Sequence, residues 1–159
     1  MSKILVVHPE KCAGCHTCEL MCSFEHKKVF NPRLSAVTVV NFEAARTAVP
    51  IMCMQCDEAC CLKVCPVGAI SRDENGVVSA NPDKCIVCKM CISACPLGCI
   101  NYSASTGEII KCDLCGGDPK CVQFCSSEAI IFVDSTESPV RKKAVAEKFS
   151  EVFGGEALS

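Results

Sequence analysis

Apolar residues in this chain come in short bursts rather than in long periodic faces. Four bursts rich in β-branched residues, Lys3–Val7, Ala36–Val40, Gly76–Ser79 and Ala129–Val133, predict strands. Asn75-Gly76 predicts a hairpin turn between Ile70 and Val77. The residues between Cys18 and Cys22, and at each equivalent place, predict one helical turn. The connector from Asn31 to Pro50 reads as partly strand. The pattern changes at Ser138, a candidate N-cap followed by Pro139 at the first helical position. Val145, Phe149, Val152 and Phe153 then share one helical face, and Gly154-Gly155 stops the helix. That stripe either packs on its own domain or docks on another subunit. The elements together predict an α+β fold of two-stranded ribbons with a C-terminal helix. No apolar run reaches the roughly eighteen residues that a membrane-spanning helix needs.

A chain of 159 residues makes one domain or two small ones. A compact chain of this size has a radius of gyration of about 15 Å. Eighteen of its residues are cysteine, a density that otherwise marks a disulfide scaffold. Three observations oppose disulfides. Met1–Val7 is too short for a secretory signal and is followed by His8-Pro9. Regular close spacing suits a shared metal. Thiols kept reduced in a cytosol remain available as thiolates. The expected compartment is therefore the cytoplasm.

Sixteen of the cysteines form four runs: Cys12-Cys15-Cys18-Cys22, Cys53-Cys56-Cys61-Cys65, Cys85-Cys88-Cys91-Cys95 and Cys112-Cys115-Cys121-Cys125. The third has the spacing of a bacterial ferredoxin run, with Pro96 after its last cysteine. A tight loop brings three thiolates to a cubane, and the fourth comes from the partner run. The runs thus predict four [4Fe–4S] clusters in two reciprocal pairs. The first would use Cys12, Cys15, Cys18 and Cys125, and its partner Cys112, Cys115, Cys121 and Cys22. The inner pair would use Cys53, Cys56, Cys61 and Cys95, and Cys85, Cys88, Cys91 and Cys65. Cys60 competes with Cys61, which is favoured because its distance to Cys65 matches the other runs. Cys60 and Cys99 then remain spare thiols. Zinc, the main rival metal, prefers well-separated pairs and gives no reason for triplets. A [2Fe–2S] or three-iron variant at one site is a further alternative.

Residues 48–103 hold the two central runs and form an inner ferredoxin-like lobe. Residues 1–47 and 104–135 form an outer lobe around it, and 136–159 a helical tail. Cys65-Pro66-Val67-Gly68-Ala69-Ile70 is echoed by Cys95-Pro96-Leu97-Gly98-Cys99-Ile100, and more weakly after Cys125. The formal net charge is −2. Each oxidised cubane with its thiolates adds negative charge, so the loaded chain approaches about −10. With no basic face to oppose that charge, nucleic acid is not an expected partner. His16, inside the first run, either tunes its cluster or is solvated. Arg141-Lys142-Lys143 is a solvated face or a contact for an acidic partner. No phosphate-binding loop is present, and no run lacks a ligand, so no open site for catalysis is expected. A small enzyme built on a special cluster would need such a vacancy.

The nested order of four runs resembles the four-cluster iron–sulfur subunits of molybdenum- and tungsten-pterin oxidoreductases, such as formate dehydrogenases and dimethyl sulfoxide reductases. The resemblance covers roughly residues 1–135. The stretch from Lys111 to Cys125, with its short gap between Cys115 and Cys121, looks like the small subunits of tungsten aldehyde oxidoreductases and benzoyl-CoA reductases. Ser126, where many members have proline, and the doubled Cys60-Cys61 depart from the pattern. The resemblance implies a non-catalytic subunit. It would carry electrons between a large pterin-metal catalytic subunit and a ferredoxin, a flavin-binding subunit or further copies of itself. The alternative is a free polyferredoxin.

Overall fold

The computed structural model describes residues 3–134. The helix expected after Ser138 lies outside the described residues. Within them, eight strands pair into four antiparallel ribbons. β1 (Lys3–Val7) pairs with β8 (Ile130–Asp134), setting Leu5 opposite Phe132 and Val7 opposite Ile130. The other ribbons are hairpins: β2 (Thr38–Phe42) with β3 (Thr47–Ile51), β4 (Ile70–Arg72) with β5 (Val78–Ala80), and β6 (Asn101–Ser103) with β7 (Glu108–Ile110). Pro50 sits inside β3, opposite Val39. A two-stranded ribbon tolerates it because each strand is an edge with one side free of ladder bonds.

Two of the strands start two residues later than the apolar pattern predicts. Ala36 and Val37 are buried in the core before the strand begins, and the Ser35 hydroxyl accepts the Val37 N–H at 2.9 Å. The backbone is thus held in a side-chain turn until Thr38. Asp73 Oδ1 likewise accepts the N–H groups of Asn75 and Val77. Gly76 and Val77 stay in the turn, and the ladder begins at Val78.

The helices are α1 (Thr17–Lys27), α2 (Cys60–Lys63), α3 (Met90–Ala94) and α4 (Lys120–Gln123). Each carries the third cysteine of a run. Only α1 continues through the fourth, because Ser23–Lys27 contains neither proline nor glycine. It ends at Lys28 in the left-handed region, whose N–H bonds the Phe24 carbonyl. After Cys65 and Cys95, proline blocks continuation, and the chain turns through left-handed Gly68 and Gly98. The fourth run lacks the proline but keeps the turn. Glu128 is left-handed too, and its N–H bonds the Cys125 carbonyl at 3.1 Å.

Two hydrophobic clusters result. The larger joins Leu5, Leu34, Val37 and Ile130 with Cys18, Cys22, Cys112 and Cys121. The smaller joins Ala59, Ile70, Val78 and Ile100 with Cys91. Burying one such aliphatic side chain stabilises by about 1.5–3 kcal/mol. Both clusters are walled by cysteine, so cysteine placement and folding are one problem.

Candidate metal centres

Each run begins in the same backbone turn. The residue two places after the first cysteine is left-handed in all four: Gly14 (φ 65°), Gln55 (φ 47°), Val87 (φ 55°) and Leu114 (φ 58°). This curl turns successive thiols toward one point. Glycine is free to adopt it, and a Cβ at Gly14 would press on Ala48 Cβ at 3.3 Å. Val87 is β-branched and a true outlier there. Such strain costs of order 1–3 kcal/mol and persists only where the surroundings impose it. Only Gly14 betrays this repeated turn in the sequence.

The runs converge in groups of four. Cys12, Cys15, Cys18 and Cys125 line one pocket, with Val39, Pro50 and Phe124. Cys65, Cys85, Cys88 and Cys91 line a second, with Ile86 and Ile109. Cys53, Cys56, Cys61 and Cys95 line a third, joined by Cys60 and Cys99. In the remaining group, the charge of Cys22 acts on Cys112, Cys115 and Cys121. Each group takes its fourth thiol from a different run.

Burial pushes the thiols of Cys18 and Cys121 up to about 12, and neighbouring cysteines push in the same direction. Burial raises Cys112 well above its ordinary value, and raises Cys61, Cys91 and Cys115 as well. Cys15 is lowered instead, chiefly by the Thr17 hydroxyl. At Cys65 desolvation opposes ionisation, but the N–H groups of Ile70, Val67, Ala69 and Gly68 prevail and lower it. Thiols this crowded repel one another as thiolates unless a cation sits among them. The donor sets, four sulfurs each with few rival oxygens, therefore fit a thiolate-ligated iron cubane, and binding it would release protons.

Backbone amides point at several of these sulfurs. Ala69 N–H reaches Cys65 Sγ at 3.2 Å, and Cys99 N–H reaches Cys95 Sγ at 3.4 Å. Ala36 N–H meets Cys22 Sγ at 3.4 Å, and Leu114 N–H meets Cys112 Sγ at 3.5 Å. Such donors stabilise charge on a ligating sulfur and tune cluster potential.

The side chains around the thiols were less legible. His16 engages Glu19 Oε2 at 2.9 Å and Asn41 at 3.3 Å, not a thiol. His26 instead brings Nε2 to 3.6 Å from Cys115 Sγ and 3.5 Å from Asp113. Glu19 is buried, and its Oε1 accepts the Val39 N–H at 2.6 Å. Gln55, also buried, donates to the Cys112 carbonyl at 3.0 Å and accepts the Val78 N–H at 2.8 Å. Lys111 Nζ donates to Cys53 Sγ at 3.4 Å, to the Cys112 carbonyl at 3.3 Å and to the Val78 carbonyl. Cys99 Sγ donates to the Met52 carbonyl at 3.0 Å. Cys60 is exposed, with its sulfur 3.8 Å from the Glu58 carbonyl.

Residues 44–135 match the family described as the 4Fe-4S dicluster domain. The chain is 41% identical over 122 residues to the aliphatic sulfonate oxidoreductase polyferredoxin-like subunit of Pyrococcus furiosus, covering 76% of this chain and 70% of that protein. It is 35% identical over 162 residues to the electron transport protein HydN of Escherichia coli, covering 84% and 89%. It is 30% identical over 159 residues to the thiosulfate reductase electron transfer subunit PhsB of Salmonella typhi, covering 89% and 81%. Among solved structures, a chain of the active site complex BamBC of benzoyl coenzyme A reductase superposes with a TM-score of 0.51 at 25% identity, covering 92% of this chain and 90% of that one. No helix among the described residues is long and apolar enough to cross a membrane.

Proposed function

This chain belongs to the 4Fe-4S dicluster domain family, and we propose that it is a non-catalytic electron-transfer subunit holding four [4Fe–4S] clusters in two reciprocal lobes. One observation carries the reading: Cys125 shares a pocket with Cys12, Cys15 and Cys18, as exchange of fourth ligands requires. The same exchange assigns Cys22 to the set of Cys112, Cys115 and Cys121. It assigns Cys95 to Cys53, Cys56 and Cys61, and Cys65 to Cys85, Cys88 and Cys91. Cys61 is the ligand rather than Cys60, because the charges of Lys111, Cys53 and Cys95 act on Cys61 while the Cys60 sulfur turns to the Glu58 carbonyl at 3.8 Å. The outer lobe is built from residues 1–47 and 104–135, the inner from 48–103.

When bound, a cubane supplies one-electron redox chemistry. The residues described here hold it, exclude water and set its charge environment. The partner is a large pterin-metal catalytic subunit, of tungsten type by the resemblance of the Lys111–Cys125 stretch. The relatives named as subunits of aliphatic sulfonate oxidoreductase and thiosulfate reductase support assembly with a catalytic chain. So does the likeness to a chain of the BamBC complex.

Anaerobic native purification with metal analysis tests this. About sixteen irons per chain, with a co-purifying large chain and tungsten or molybdenum, is the expected result. Sixteen irons with no large partner would instead identify a free carrier, and about eight irons would reduce the four sites to two.

A further inference from the structure

We infer that Lys111 is a positioning residue at the crossing between the two lobes: it clamps Cys53 to the segment carrying Cys112 and makes the site of Cys53, Cys56, Cys61 and Cys95 easier to reduce. The inference rests on the ligand assignment proposed above. A lysine ammonium has three N–H donors and no acceptor. At Lys111 all three have partners: Cys53 Sγ at 3.4 Å, the Cys112 carbonyl at 3.3 Å and the Val78 carbonyl. None of these is a carboxylate. The one partner that becomes anionic is the sulfur of Cys53.

The location is as informative as the charge. Cys53 belongs to an inner set but packs against the larger hydrophobic cluster, beside Cys112. Val78 belongs to the smaller cluster. Lys111 therefore touches both cores where Cys53, of one pair of sites, acts on Cys112, of the other. Gln55 reinforces the same crossing by bonding the Cys112 carbonyl and the Val78 N–H.

Reduction adds one electron to a site that is already negative. No covalent bond forms or breaks, and no proton moves. A fixed cation near one ligating sulfur, in a partly buried setting, stabilises the more negative state. The site beside Lys111 should therefore accept an electron at a higher potential than its thiolates alone would give. The crossing becomes a favourable landing point rather than a barrier.

The test is an EPR-monitored redox titration of the iron-loaded protein, with dithionite as reductant, on wild type, Lys111→Met and Lys111→Arg. The signal of the site is assigned by its loss in Cys56→Ala. Expected is a shift of that midpoint to more negative potential in Lys111→Met, with smaller shifts elsewhere, and return toward wild type in Lys111→Arg. A fully loaded Lys111→Met protein with an unmoved midpoint overturns the inference, as does an equal shift in Lys111→Arg. Should Lys111→Met fail to load iron, wild-type protein carrying 15N at lysine Nζ decides. A nitrogen coupling on the assigned signal, lost in Lys111→Arg, supports it, and absence of that coupling overturns it. If no signal disappears in Cys56→Ala, the four-site reading itself fails, which is distinct from an intact site indifferent to Lys111.

Discussion

Cys125, from the last cysteine run, closes the pocket lined by Cys12, Cys15 and Cys18 of the first. The ribbon of Lys3–Val7 with Ile130–Asp134 brings these distant segments together. Cys125→Ser should therefore alter the EPR signal of the site in the first run and lower its iron content. A spectrum identical to wild type at that site would remove Cys125 from the ligand set.

Cys60 and Cys61 should differ sharply. Cys61→Ala is expected to lose roughly one cubane, about four irons per chain. Cys60→Ala should keep full iron, because its sulfur is turned toward the Glu58 carbonyl. Iron analysis of both variants checks this, and reversed losses would exchange their roles.

Cys99 is buried beside the thiols of Cys53, Cys56, Cys61 and Cys95, and desolvation, then the charges of Cys95 and Cys53, push its thiol from 9.0 up to about 12. A raised value means that the fold favours the neutral thiol. That stabilisation is fully present below about pH 9, the ordinary value, and is lost as pH rises through about 12. Between pH 7 and 9, alkylation of Cys99 in the iron-loaded protein should stay far slower than that of exposed Cys60, as read by mass spectrometry. Comparable labelling would show that Cys99 is neither enclosed nor held as a thiol.

Gln55→Leu should destabilise more than Lys27→Met. Losing the Gln55 amide leaves the Val78 N–H without that partner in a buried setting, at about 1–3 kcal/mol, while the Cys112 carbonyl keeps only Lys111. Leucine adds no new kind of backbone strain, since Leu114 already holds the equivalent left-handed position. The Lys27–Glu108 pair is about one-third exposed on both sides, at 31% and 36%, so it contributes under about 1 kcal/mol. Anaerobic heating, followed by loss of cluster absorbance, should give a clearly lower midpoint for Gln55→Leu. Equal midpoints would contradict this ranking.

Much of this was readable in the residues. The strand Lys3–Val7 has the predicted bounds, because a β-branched burst with no turn residue has one easy conformation. The hairpin at Asn75-Gly76 also forms. The expected grouping of the thiols rests on their spacing together with the exchange of fourth ligands between paired ferredoxin runs. The strands Asn101–Ser103 and Glu108–Ile110 were missed because three residues are too few to display an alternation. The left-handed turn shared by Gln55, Val87 and Leu114 left no mark, since tertiary packing imposes it on residues that do not prefer it. Lys111 and Gln55 were equally silent, because their importance lies in partners remote in sequence.

The antiparallel pairing of Lys3–Val7 with Ile130–Asp134 also imposes an order in time. A ribosome making this chain releases every thiol of the inner groups, Cys53 through Cys95, before Cys112 has been added. The outer groups stay incomplete until Cys125 emerges, and their ribbon cannot close until residue 134 does. Iron delivered during synthesis would meet the thiols from Cys53 to Cys95 as a complete set first, before Ile109 and Lys111 arrive to close their pockets.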